Sequence, residues 1–336
     1  MQKLIRGWAH QPGRHCASTV LSDLTNFYGP RLSEPLCFGI GAGLGFYYLE
    51  GDVFSPTRMI MTRSQVLEPN FFHNLDLKFD WRTEPDPESG WKSIANQTDA
   101  GVPVLLRADI FHLDYYNSKT HFPFHIILFW GYDDEKNTAF VADTGWEGLQ
   151  EIPVESLSGS RYVKLPYFEA QGEYFPVVLP KKFDGLGKRA KKAISIQADH
   201  LNGRNGSDTD AYRWMREVAE RILEWPSAKD FHWCLRWAYQ TIEKRGTGGG
   251  AFRKMYADFL QELCAMDPGV RQVANPGDMA EIGERWTELS RLLKEASEKK
   301  PVPESDLKKA SGIFSELADR EQEFFERAGE RLKQAG

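Results

Sequence analysis

The sequence predicts an α+β protein: a first half that mixes strands with one early helix, then a half that is helical almost throughout. Three observations carry this. Apolar residues recur with a helical period from Cys16 to Tyr28, at Val20, Leu21, Leu24, Phe27 and Tyr28. Short apolar, strand-like runs then follow one another to about residue 165. Beyond about residue 193 nearly every window is amphipathic with a helical period.

Taken in order, the first helix ends at Gly29-Pro30, because proline cannot continue it. The glycine run Gly39-Ile-Gly-Ala-Gly-Leu-Gly45 leads into the aromatic Phe46-Tyr-Tyr-Leu49. Strands are expected at Met59–Met61, Val104–Ala108, Ile126–Trp130, Ala139–Ala142 and Tyr162–Lys164. The turn residues Tyr132-Asp-Asp-Glu-Lys-Asn137 join two of them as an antiparallel hairpin. Near residue 180 the composition turns basic, with Lys181, Lys182, Lys188, Arg189, Lys191 and Lys192 crowded together. Helices are expected over Asp210–Glu224, Phe231–Lys244, Ala251–Met266, Asp278–Ser297 and Glu304–Lys333. The expected division is a first domain over 1–180, a basic linker over 181–195 and a helical domain over 196–336.

Composition excludes several classes. The chain has 336 residues and a net charge of -6, which argues against a general nucleic-acid binder. No apolar run is long enough to cross a bilayer, and the N-terminus lacks the apolar core of a signal peptide, so a cytoplasmic protein is expected. Four cysteines, at 16, 37, 234 and 264, match neither a zinc site nor a disulfide framework. No metal site is expected. Cys37, Cys234 and Cys264 sit in apolar stretches and read as core thiols.

Cys16 is different, because it opens a helix, where the positive end of the helix dipole favours a thiolate. His125 begins a strand far downstream, and Asp143 ends the next one. A cysteine, a histidine base and a carboxylate that orients the imidazole form a nucleophilic triad, and this order along the chain is the papain-type order. Asp133 is the weaker alternative for the carboxylate, because it lies in the hairpin turn. An oxyanion needs donors. The Cys16 backbone N–H is one and Gln11 is the candidate side-chain donor, with His15 as an electrostatic neighbour of the sulfur. Glu34, Phe46, Tyr47, Asp109 and His121 are the candidates for substrate contact: acids for a cationic acceptor, aromatic walls for a dry site, and a loop histidine.

His15-Cys16-Ala-Ser-Thr, Leu32-Ser-Glu-Pro-Leu-Cys-Phe-Gly-Ile-Gly-Ala-Gly-Leu-Gly-Phe46, Ala108-Asp109, Tyr115-Tyr116, His121-Phe122 and His125 through Asp133 resemble the N-terminal domain of the butirosin biosynthesis protein H family. The likeness covers roughly residues 10–180. The remainder, with Gly248-Gly-Gly-Ala-Phe-Arg-Lys-Met-Tyr256 and Trp286, is similar to the domain of unknown function that commonly follows it. The resemblance implies a papain-like fold and an acyltransferase that moves an acyl group from an acyl carrier protein, through an acyl-enzyme, to a small-molecule amine in specialised metabolism. It implies Cys16, His125 and Asp143 as the catalytic residues and no cofactor other than the phosphopantetheine that carries the donor. Two rival readings stand beside it. One is a cysteine peptidase or amidohydrolase using the same triad; the other is a non-catalytic protein-binding scaffold. The C-terminal helices leave a homodimer open.

Overall fold

The computed structural model describes residues 1–204, 207 and 209–335. The chain forms two compact units, and neither is continuous in sequence. The first comprises Met1–Cys37 and Leu77–Asp184; the second comprises Phe38–Asp76 and Gly185–Gly336. This differs from a division at 180 with a linker after it. Residues 38–76 leave the first unit because their strands bury their apolar residues among the C-terminal helices. The expected linker is largely helix, Leu186–Leu201, whose Ala190, Ala193, Ile194, Ala198 and Leu201 form a buried stripe. Its lysines hid that stripe.

The first unit is built on an antiparallel sheet of six strands. Along it run Tyr174–Pro176, Val104–Ala108, His125–Asp133, Thr138–Ala142 and Gln150–Pro153, and Gln2–Leu4 also pairs with His125–Asp133. Every residue of His125–Asp133 is buried, which is why its sequence is a continuous apolar run rather than an alternation. Helix Cys16–Tyr28 packs against this strand, with Phe27 set 5.1 Å from Trp130. Helix Pro87–Asp99 joins a core of Ile94, Leu106, Ile127, Phe129 and Val141, with Trp91 packed on it. That helix carries few apolar residues, Trp91, Ile94 and Ala95, though they fall at helical spacing. Its signal is at the start, where the Asp86 side chain accepts from the Glu88 and Ser89 N–H groups and Pro87 occupies the first turn.

The hairpin forms as expected. Its Asp133 side chain accepts from the Glu135 and Lys136 N–H groups, so this carboxylate is committed to the turn and not to the triad. The expected strand at Tyr162–Lys164 does not form. Helix Val154–Arg161 runs up to it, and only Lys164–Leu165 pairs, with Phe168–Glu169.

In the second unit the hairpin Leu44–Glu50 and Arg58–Arg63 packs among helices. The expected helices appear at Ala211–Arg221, Phe231–Glu243, Arg253–Met266, Pro276–Glu298 and Glu304–Ala335. Gly39 is where the chain must approach closely, because a Cβ there would lie 2.1 Å from the Phe259 ring. At the centre, Arg253 and Glu321 are both fully buried and bonded twice, at 2.9 and 2.8 Å. Arg253 also donates to the Ala251 carbonyl at 2.7 Å, and Trp286 Nε1 donates to Glu321. A buried pair of this kind survives because its remaining donors and acceptors are satisfied.

Candidate active site

Cys16 is the first residue of its helix, and His15 is the N-cap, in extended conformation at φ -130° and ψ 135°. The loop that delivers them is clamped from one side by Glu34. Its carboxylate accepts from the N–H groups of Arg14 at 2.9 and 3.1 Å and His15 at 2.7 Å, and from the hydroxyls of Ser18 and Thr19, each at 3.2 Å. From the other side, the Gly13 N–H donates to the Thr144 carbonyl at 2.7 Å. His10 makes a second tie. It bonds Asp23 of the nucleophile helix at 2.6 Å and the Trp146 carbonyl at 2.8 Å, while Asp23 also accepts from the Gln11 N–H at 3.0 Å. Gly13 and His10 thus fasten the loop before the nucleophile to the loop that follows Asp143.

His125 opens the central strand, paired with Ala108, and Asp143 follows the last residue of the neighbouring strand. Asp143 is fully buried, and His125 Nε2 stands 2.8 Å from each of its oxygens. The carboxylate also accepts from the hydroxyls of Tyr115 at 2.8 Å, Thr144 at 2.8 Å and Tyr116 at 3.4 Å. The Tyr116 ring meets His125 edge-on. With Nε2 bound to Asp143, Nδ1 is the nitrogen His125 has left for the sulfur.

The electrostatics follow. Burial opposes a Cys16 thiolate, but His15 and His125, by charge and hydrogen bond, overcome it and hold the thiol well below its ordinary range. Burial likewise opposes a His125 cation, and Asp143, Tyr116 and Cys16 together lift it well above the ordinary imidazole value. Both directions favour a thiolate and an imidazolium as the resting pair. Burial, reinforced by Asp143, pushes Tyr115 far up, so its hydroxyl stays protonated and donates. Two other cysteines behave oppositely: burial raises Cys234 to about 11 and also raises Cys264. All four cysteines are buried, so burial alone does not distinguish Cys16 from Cys234 and Cys264; its charged partners do.

The expected substrate residues fare differently. Glu34 is occupied in holding the nucleophile loop, as described. Phe46 is fully buried in the second unit against Trp286 and Phe314, so it is core and not the wall of this site. Tyr47 lies on the same strand, half-buried, and its hydroxyl accepts from the Gln65 N–H at 3.4 Å. Asp109 is fully buried, and its oxygens accept from the Phe111 and Phe122 N–H groups at 3.2 and 2.7 Å and bond His121 at 2.5 Å. It fastens the loop that carries Tyr115 and Tyr116. His121, on that loop, is stacked on Phe111. Asp109, His112 and His121 bring donor atoms within 4.8 Å of one another. Ligands of one tetrahedral zinc stand about 3.3 Å apart, so the 2.5 Å contact marks a direct hydrogen bond between Asp109 and His121. Gln11 is exposed and lines a cavity of about 290 Å3 with Thr19, Asn26, Arg31 and Glu34, a cavity that Cys16 does not line.

Sequence reasoning missed His10, Asp23 and Thr144, and gave Tyr115 and Tyr116 no role. The adjacent tyrosines close ahead of His125 were the one visible signal. The His10–Asp23 pair, 13 residues apart, had none.

Fold and site together define an α+β protein with a buried Cys-His-Asp constellation and a helical C-terminal part. Comparison with known families makes this specific. Residues 15–144 match the family described as butirosin biosynthesis protein H, N-terminal, and residues 155–328 match a domain of unknown function (DUF4872). The chain belongs to the DUF4872 family, and the family matched by its first part is named for a biosynthetic role. No curated protein matches it significantly.

Proposed function

We propose that this protein is an amide-forming acyltransferase that works through an acyl-enzyme on Cys16, within a papain-like domain. The observation that carries the reading is a Cys16 thiol held well below its ordinary range by His15 and His125, with His125 backed by the buried, hydrogen-bonded Asp143. Membership in a family of biosynthetic proteins supports transfer over peptide hydrolysis. The donor is an acyl thioester on the phosphopantetheine arm of an acyl carrier protein, and the acceptor is a small-molecule amine.

In the first half-reaction the Cys16 thiolate attacks the thioester carbonyl, the carrier C–S bond breaks, and the departing thiolate takes the proton of the His125 imidazolium. In the second, the amine attacks the Cys16 thioester and His125 accepts the amine proton. Cys16 leaves as the thiolate, and the imidazolium is restored beside it. Asp143 keeps the imidazole in one tautomer and stabilises its charged form in both halves. The Cys16 backbone N–H is the oxyanion donor in this reading. No helix among the described residues is long and apolar enough to cross a membrane, which accords with a protein working in the cytoplasm.

The test is intact-protein mass spectrometry after incubation with acyl thioesters, comparing wild type with Cys16→Ala. The expected result is an acyl adduct on the wild type alone, discharged into an amide by added amine. Absence of any adduct, with Cys16-dependent release of free acid from amides, would establish a hydrolase instead.

A further inference from the structure

The sulfur of Cys16 has a second imidazole beside it: His15 Nε2 lies 3.8 Å from Sγ. Both residues are buried, with His15 3% exposed. The other nitrogen of that ring is committed. Nδ1 accepts the Ser18 backbone N–H at 3.3 Å as the helix N-cap, and the Ser18 hydroxyl lies 3.0 Å away. A hydroxyl can rotate to suit either partner, but a backbone N–H in the first turn of a helix cannot, and it cannot point at another N–H. Nδ1 therefore carries a lone pair, and the ring proton is on Nε2, the atom that faces the sulfur. Fixing one ring nitrogen by a hydrogen bond is how a protein selects the other as donor.

We propose that His15 is a positioning residue of the acyl-transfer site, a tautomer-locked Nε2–H that donates to the Cys16 sulfur and never takes its proton. This rests on the acyl-enzyme reading and divides the work between two histidines. His125 exchanges its proton in each half-reaction. His15 is spent as a cap and cannot release Nε2–H without surrendering the helix terminus, so it holds the thiolate both before attack and as it leaves. Charged and titratable groups stand around both rings. His125 brings Asp143 and Tyr116. Glu34 binds the His15 N–H and the Ser18 hydroxyl, and Arg14 pairs with Glu34 at 3.6 Å.

The experiment is the pH dependence of Cys16 alkylation by iodoacetamide, read peptide by peptide by mass spectrometry, in wild type and His15→Asn. Asparagine is a strong N-cap and is too short to reach the sulfur, so H15N separates capping from donation. The expected result is an unchanged unfolding midpoint with an alkylation midpoint raised by about one pH unit or more, the scale of one charge-assisted hydrogen bond. An unchanged alkylation midpoint in H15N overturns the proposal while leaving the acyl-enzyme reading intact. A wild-type midpoint near that of a free thiol, about 8.5, overturns the acyl-enzyme reading itself. Should H15N not fold, nitrogen-15 correlation spectra of the wild-type imidazoles decide the matter. Protonated Nε2 and bare Nδ1 on His15 support the proposal, and the opposite tautomer refutes it.

Discussion

Glu34 is where a substrate role and a structural role make opposite predictions. Glu34→Ala removes the acceptor of four donors: the Arg14 and His15 N–H groups and the Ser18 and Thr19 hydroxyls. The hydroxyls can turn elsewhere, and Ser18 already reaches the His15 carbonyl at 3.5 Å. The two backbone N–H groups cannot turn. A hydrogen bond to a charged acceptor contributes about 1.5–3 kcal/mol net, and bonds sharing one carboxylate do not add. With the side chain only 13% exposed, water replaces little of this. The expected loss is about 3 kcal/mol for E34A and about 1 kcal/mol for Glu34→Gln, which keeps an oxygen for the N–H pair. The assay is thermal or urea unfolding together with the rate of Cys16 alkylation. Both should fall in E34A, because the loop that aims His15 and Cys16 loosens, and E34Q should recover most of the loss. A normal unfolding midpoint in E34A combined with a raised KM for the amine alone would refute the reasoning and return this carboxylate to the acceptor.

Three further outcomes are expected. Asp143→Asn removes the charge that lifts His125, so the Cys16 alkylation midpoint should rise by about one to three pH units, and acylation should slow at least about a hundredfold. Wild-type acylation should increase with pH through the Cys16 pKa, which lies below its ordinary value, and decline as His125 deprotonates, above roughly 6.5. A stopped-flow profile with limbs at the ordinary values of the two groups would contradict a thiolate–imidazolium pair. The linked stability has the same signs: the Cys16 share is lost as pH falls through its lowered pKa, and the His125 share as pH rises through its raised one. In the second unit, Glu321→Ala strands a fully buried guanidinium and should cost about 3–5 kcal/mol in denaturant unfolding. The double change Arg253→Met with Glu321→Leu should cost much less, and equal losses would show that the pair's charge is not what matters.

The sequence made the triad legible because each member carries a local signature that survives folding: a cysteine at a helix start, a histidine at the head of an apolar run, and an aspartate at the end of the next. Antiparallel pairing of adjacent strands then brings His125 and Asp143 together with no long-range guess required. The illegible parts depend on contacts with no local signature. Phe46 looked like a wall because aromatic residues follow a glycine run near Cys16 in sequence; packing instead sends 38–76 to the other unit. Glu34 and Asp109 looked like acids for a substrate, yet Glu34 gathers the Arg14 and His15 N–H groups and Asp109 those of Phe111 and Phe122, and nothing in the spacing of a lone acid reveals that. Leu186–Leu201 was masked by its own charge, because lysines on the outer face of a helix look like those of a linker.

Gly13 shows how such a distant contact sets the catalytic spacing. Its N–H reaches the Thr144 carbonyl, next to Asp143, and this tie is possible only because the loop lies directly on Thr19 of the nucleophile helix. A Cβ at residue 13 would stand 2.1 Å from Thr19 Oγ1 and 3.0 Å from both Thr19 Cβ and Cγ2. Gly13→Ala must therefore displace either the loop, breaking the bond to Thr144, or the first turn of the helix that presents Cys16. Either shift separates the nucleophile from the His125–Asp143 pair, so alkylation at neutral pH should slow even where the protein remains folded. Adding Thr19→Ala removes the oxygen and Cγ2 and leaves only the Cβ contact, so the double variant should regain alkylation although it forfeits one bond to Glu34. If G13A alkylates at the wild-type rate, or if T19A worsens it, the site's spacing is set elsewhere and the tie across Gly13 is incidental.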